Sequence, residues 1–229
     1  MFCKIDGHLM RAQFSRRCLC GLLLWAATVT GVSAQTPLNA SEPTRAAPTK
    51  ANYHGGLVSP PLPKPKFTLT DTSGTAFDFW AKTQGYVTLL FFGYTHCPDM
   101  CPLQMNMIAD ALRKLPPTIT GQFEVVFVTT DPARDTPQVL RMYLDHFNKL
   151  FIGLTGSQEA IEAAQVAAIL PSAKKGSAPR DGNYEVGHSA LVLAYTKDNL
   201  AHVIYPVGLK SEDWVHDLPF LVSETWTTP

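Results

Sequence analysis

The alternation of apolar and polar positions divides the chain sharply near residue 66. Beyond it, FTLTDTSGTAFDFW (67–80) sets short β-rich runs on either side of Ser73-Gly74 and predicts a hairpin. YVTLLFFGYT (86–95) is an almost unbroken apolar run rich in aromatics, as expected of a strand buried on both faces. From 101 to 115, Leu103, Met107, Ala111 and Leu112 recur near helical spacing, and Pro116-Pro117 stops the element. FEVVFVTTD is a second buried strand, after which Thr136-Pro137 opens a helix to about residue 150, with proline at its favoured first position. FIGLTG then predicts a strand, SQEAIEAAQVAAIL a helix, HSALVLAYT and AHVIYPV a strand pair turned by Lys197-Asp198-Asn199, and SEDWVHDLPFLV a terminal helix. Strands alternating with helices imply an α/β domain with a mixed, mostly parallel sheet flanked by helices and an N-terminal hairpin extension.

Before residue 66 the pattern differs. A basic stretch (Lys4, Arg11, Arg16, Arg17) precedes the apolar LCGLLLWAATVTGV and the small residues Val32-Ser33-Ala34, the layout of a secretory signal cleaved after Ala34. Only 15 residues separate Arg17 from Ser33, short of the roughly 20 a spanning helix needs. A retained segment would instead tether the domain to the inner membrane. SRRCLC loosely resembles a twin-arginine export signal. Residues 35–62 are rich in Pro, Ala, Ser and Thr and are read as a linker, leaving 63–229 as the folded domain.

Composition narrows the function. With 229 residues, 45% hydrophobic and 17% charged, the chain can build one well-packed domain plus extensions. Formal charge is zero and no basic run follows residue 17, which excludes a nucleic-acid footprint. Beyond residue 34, 15 Lys/Arg face 18 Asp/Glu, and loss of Cys3, Cys18 and Cys20 reduces five cysteines to Cys97 and Cys101. In an oxidising compartment such a pair is a staple, a redox couple or a metal site.

FFGYTHCPDMCP places the pair where a buried strand passes into a helix, the strand-end position at which α/β sheets bind ligands. A helix N-terminus lowers a thiol's pKa, and a spacing of four brings both sulfurs to one side if Cys97 and Pro98 lie in the first turn. Thioredoxin-type redox catalysts carry C-x-x-C, whereas three residues intervene here. The longer loop suits an ion between two sulfurs as well as a disulfide, although closing so short a loop gains little chain entropy. Soft thiolates favour Cu(I) and Zn(II), structural zinc wants four protein ligands, and copper tolerates three.

Among the histidines, His188 stands out because it follows Gly187 and precedes an apolar strand, where it is hydrogen-bonded scaffold or ligand. His96 is the local rival, expected to point away from Cys97. His54 falls in the linker, and His146 and His216 lie in helical patterns as solvated positions. Asp131 ends a buried strand and either makes a turn with Pro132 or tunes the thiol site from behind. Asp135 or Thr136 is expected to cap the next helix. Met100 offers a thioether or packs.

Three stretches in order, FFGYTHCPDMCP, VTTDPARDTP and YEVGHSALVLAY, resemble the signature stretches of the Sco/SenC proteins, copper chaperones of cytochrome c oxidase assembly. The similarity runs from about residue 63 to 222. It implies a thioredoxin-like fold, with which the element order is compatible, and one copper ion held by Cys97, Cys101 and His188. Two thiolates and a neutral imidazole give a site charge of −1 with Cu(I) and zero with Cu(II). The resemblance further implies a periplasmic protein, expected to be monomeric, that receives copper from another periplasmic chaperone. It would deliver the ion to the copper A centre of oxidase subunit II. Two other functions use the same residues: a thiol–disulfide oxidoreductase in which Cys97 attacks and Cys101 resolves, reducing the cysteine pair of the subunit, and a copper- or redox-sensing protein.

Overall fold

The computed structural model describes residues 52–177 and 184–226; the expected signal segment and residues 35–51 of the expected linker lie outside them. In chain order the elements are β1 (Gly56–Pro63), β2 (Thr68–Asp71), β3 (Ala76–Asp78), α1 (Phe79–Lys82), β4 (Val87–Gly93), α2 (Met100–Lys114), α3 (Pro117–Thr120), β5 (Phe123–Thr129), α4 (Pro137–Asp145), β6 (Ile152–Thr155), α5 (Gln158–Ala167), β7 (Lys174–Lys175), β8 (Val186–Gly187), β9 (Val192–Tyr195), β10 (Leu200–Tyr205) and α6 (Ser211–Ser223).

Eight strands form one sheet in the order β1-β10-β9-β4-β5-β6-β2-β3. The sheet is mixed, but its parallel part is confined to β4, β5 and β6; every other pairing is antiparallel. The expectation of a mostly parallel sheet is corrected because a hairpin is added on each side, β2-β3 beyond β6 and β9-β10 beside β4.

The continuous apolar run of β4 follows from helices on both faces. Val87, Leu89 and Phe91 pack with Met105 and Ile108 of α2, Leu140 and Leu144 of α4, and Trp214 and Leu218 of α6. Leu90 and Phe92, pointing the other way, pack with Phe79 and with Ile161 and Ala164 of α5. All seven residues of β4 are buried.

Two boundaries differ from expectation. The Pro-rich segment read as linker enters the fold: β1 pairs with β10, Leu57 opposite Val203 and Leu62 opposite Ala201, with the register interrupted between them. Prolines are tolerated there because β1 is an edge strand and needs no second row of ladder bonds. Helix α4 ends at Asp145 rather than near 150, since Asn148 turns the chain through its carbonyl to Phe151 N–H (3.0 Å) and its side chain to Leu150 N–H (2.9 Å), bringing Phe151 into the core. The polar loop before His188 has two short arms, β7 and β8, paired antiparallel. Among the described residues no helix is long and apolar enough to cross a membrane.

Candidate metal centre

At the carboxyl end of β4 the chain leaves the sheet through Tyr94, Thr95 and His96 and turns at Cys97, whose N–H donates to the Tyr94 carbonyl (3.2 Å). Helix α2 starts only at Met100, so Cys97 and Pro98 precede the helix instead of forming its first turn. The reason is local: Asp99, at the cap position, makes no side-chain cap bond, while the Cys101 N–H donates to the Cys97 sulfur at 3.4 Å. The sulfur therefore occupies the role of a capping acceptor.

Cys101, fully buried, rests against the end of β4 where residue 93 is glycine. A Cβ on Gly93 would stand 2.9 Å from the Cys101 Sγ, 2.8 Å from Phe91 Cε1 and 3.0 Å from Phe127 Cε2. An isolated glycine in a buried strand here allows another group close approach.

The third group arrives from β8. His188 Nδ1 faces the Ser189 carbonyl at 3.0 Å, a contact that places the proton on Nδ1 and leaves the Nε2 lone pair free. Nε2 lies 3.4 Å from the Cys101 Sγ. The ring is held edge-on between Tyr94 and Phe91, with centroids 5.6 and 6.0 Å away. The ligand atoms of Cys97, Cys101 and His188 all lie within 4.8 Å of one another. Cys97 and His188 border an open cleft of ≈ 270 Å³, with Tyr94, Pro98, Asp99 and Met100 on one side and Glu185, Val186, Gly187 and Ala190 on the other, and the buried Cys101 lies behind them.

Both cysteines are free, and their protons are unevenly held. The Cys97 thiol is pulled down to about 4, first by the hydrogen bond from Cys101 and then by the N–H groups of Cys101, Asp99 and Met100, against the opposing effect of burial. Cys101 is pushed far up, by the same hydrogen bond and by burial. Near neutral pH the pair is one thiolate and one thiol sharing a single proton.

Two carboxylates stand behind the cleft in different roles. Asp135, fully buried, accepts from Thr95 N–H (3.0 Å), Thr95 Oγ1 (2.6 Å) and Thr129 Oγ1 (2.6 Å), with His96 Nδ1 at 3.6 Å, and so joins the ends of β4 and β5 beneath the cysteine loop. Asp131 accepts from Arg134 Nε and from the Tyr184 hydroxyl (2.8 Å), and among the described residues it hydrogen-bonds neither cysteine nor His188. Arg134 in turn lies 3.6 Å from the Tyr184 ring centroid and donates to the Tyr184 carbonyl (3.0 Å). Asp131 thus anchors the segment that carries His188.

A sequence model of the SCO1/SenC family matches residues 59–223, most of the chain and all three motifs around this cleft. The chain belongs to the SCO1/SenC family. A relative from Stutzerimonas stutzeri described as copper-binding is 37% identical over 147 residues, 63% of this chain and 71% of that one. An SCO2-like protein of Rickettsia prowazekii is 35% identical over 134 residues, 58% of this chain and 63% of that one. Among solved structures, apo Sco1 of Thermus thermophilus matches with a TM-score of 0.66 and 32% identity over 74% of this chain and 97% of that one. ScoI of Bradyrhizobium japonicum with copper bound matches with a TM-score of 0.60 and 30% identity over 70% and 99%. The SCO1/SenC fold is thioredoxin-like, as the resemblance of the three motifs implied.

Within this SCO1/SenC domain the structure brings together Cys97, Cys101 and His188. His96 turns toward Thr95 and Asp135, its Nδ1 3.0 Å from the Thr95 hydroxyl. Met100 lies exposed on the cleft rim. Thr136, not Asp135, caps α4, accepting from Val139 N–H at 3.3 Å. Gly93, and the role of Asp135 beneath the cysteine loop, escaped the sequence reading. The glycine interrupting the apolar run of β4 was the available signal for the first; Asp135 binds residues on two strands that only the fold brings together.

Proposed function

We propose that the protein is an exported copper metallochaperone that binds one copper ion through Cys97, Cys101 and His188 and passes it to the copper A centre of cytochrome c oxidase subunit II. Two sulfurs and one imidazole nitrogen converge within 4.8 Å, with Cys97 and His188 on a cleft open to solvent and Cys101 buried behind them, and this convergence supports the reading most strongly. The donors fit copper: thiolates are soft ligands that favour Cu(I), imidazole serves both oxidation states, and three ligands fall short of the four of a structural zinc site. The named relative and the copper-bound structure point the same way. With Cys97 and His188 facing the cleft, the site suits ligand exchange that begins at those two donors, an incoming partner thiolate replacing one donor at a time.

In this reading the chain acts as a monomer in the periplasm, loaded by another copper chaperone, its N-terminal segment either cleaved or kept as a tether. The test is transfer. Copper(I)-loaded protein mixed with the reduced, metal-free copper-binding domain of subunit II should transfer two ions per domain, and removal of one electron by added ferricyanide should then generate the copper A absorption bands; the same protein with His188→Ala should do so poorly. Absence of those bands after oxidation, with copper left on the donor, would reject delivery.

A second reading, reduction of the subunit's disulfide, draws on the uneven proton sharing. The Cys97 thiolate would attack one partner sulfur, and Cys101 would give up its proton and resolve the mixed disulfide. The products are two partner thiols and a Cys97–Cys101 disulfide. Such activity would survive His188→Ala, which separates it from delivery.

A further inference from the structure

Away from the cleft, two histidines that the sequence placed on solvated surface converge on one carboxylate. His54 lies just ahead of β1, and His216 and Asp217 lie on α6. Asp217 is fully buried. Its Oδ2 accepts the backbone N–H groups of His54 (2.9 Å) and Gly55 (3.0 Å), which fix the carboxylate's orientation. Its Oδ1 faces the Nδ1 atoms of both histidines, at 3.1 Å for His54 and 2.7 Å for His216. The two rings meet edge to face, 4.6 Å between centroids, and each side chain is more than 40% exposed, at 44% and 43%.

We propose that His54, His216 and Asp217 form a second metal site, for a borderline divalent transition ion such as Zn(II) or Cu(II), sharing no residue with the cysteine cleft. One ligand atom from each residue lies within 4.8 Å of the others. A tetrahedral ion bound at roughly 2.0–2.1 Å separates neighbouring donors by about 3.3 Å. The observed contacts of 3.1 and 2.7 Å would open by about 0.2 and about 0.6 Å to reach that separation. Two imidazoles and a carboxylate suit Zn(II) and Cu(II), whereas Cu(I) prefers the thiolates.

The surroundings complete the case. The Asp213 carboxylate stands 3.6 Å from His54 Nε2, from which a small shift would let it accept the Nε2–H and keep Nδ1 as the ligand, the usual support for a metal-bound histidine. The exposed rings leave the remaining coordination position to solvent. Because His54 precedes β1 and the other two ligands are on α6, a bound ion would fasten the N-terminal edge of the sheet to the C-terminal helix.

The test uses the full chain with Cys97→Ser, Cys101→Ser and His188→Ala, which silences the cleft, and Zn(II) as the probe. Zinc bound at equilibrium dialysis and the zinc-induced rise in Tm are compared with and without a further His54→Ala/His216→Ala change. The expected result is one fewer zinc ion per chain and loss of the Tm rise. His216→Gln, which can still donate to Asp217 and so preserve the fold, should also lose the zinc response. Equal zinc stoichiometry and an equal Tm rise in these variants would overturn the proposal and leave a hydrogen-bonded clasp only.

Discussion

The Cys101 sulfur and the His188 Nε2 lie 3.4 Å apart although 87 positions separate them in the chain. Cys101 holds the proton that the thiol pair shares, so an ion taken between these atoms must displace it. Copper(I) binding near neutral pH should therefore release about one proton per ion. Calorimetric titrations in buffers of different ionisation enthalpy would measure it, and release of two would show that Cys97 is not already a thiolate.

Cys97 should react as a thiolate far below the ordinary thiol range. With its pKa lowered to about 4, alkylation by iodoacetamide should be nearly independent of pH between about 5 and 8 and fall off below about 4. Cys101, buried and protonated, should be modified much more slowly. In Cys101→Ala the largest cause of the shift is gone, and the rate profile should move toward that of a free thiol. A wild-type rate climbing tenfold per pH unit up to 8 would contradict the hydrogen-bonded pair.

Gly93→Ala should disturb the site from inside the core. The added methyl would meet Cys101 Sγ and two aromatic ring atoms at 2.8–3.0 Å. Overpacking of this kind costs about 1–3 kcal/mol, seen as a lowered Tm in thermal melts. Copper affinity should fall with it, because the sulfur that must move is one of the three donors.

Arg134→Ala should loosen the His188 segment without touching the thiols. It removes the stacking on Tyr184 and the bond to the Tyr184 carbonyl, and it leaves the buried Asp131 without its cation. Copper affinity should fall, by less than the roughly 10–100-fold that follows loss of a group bonded directly to a ligand. Copper should dissociate faster, whereas the pH profile of Cys97 alkylation should stay as in the wild type. A shifted alkylation profile would mean that Arg134 acts on the thiols instead.

The sequence disclosed the sheet's central strands because helices cover both faces, and burial on both sides leaves an unbroken apolar run such as 86–95. It disclosed Cys97 and Cys101 because they are the pair left at a strand end once the expected signal segment is set aside. What it hid depends on contacts across the fold. Residues 56–62 look like linker because prolines are tolerated on an edge strand, and nothing local shows that β10 waits beside them. Asp131 and Asp135 sit in one motif with similar local surroundings, yet one binds Arg134 and Tyr184 and the other joins Thr95 to Thr129. His54 and His216 look like unrelated surface residues until Asp217 draws them together.

The central claim is that Cys97, Cys101 and His188 act together as one copper site. Its most direct measurement is a competition titration of the reduced protein with copper(I) against a chelator of known affinity, beside His188→Ala and Cys97→Ser/Cys101→Ser. The wild-type protein should bind one ion per chain tightly, and this binding should be lost in the double cysteine variant and weakened at least about tenfold in His188→Ala. Copper affinity unchanged by His188→Ala would contradict the central claim.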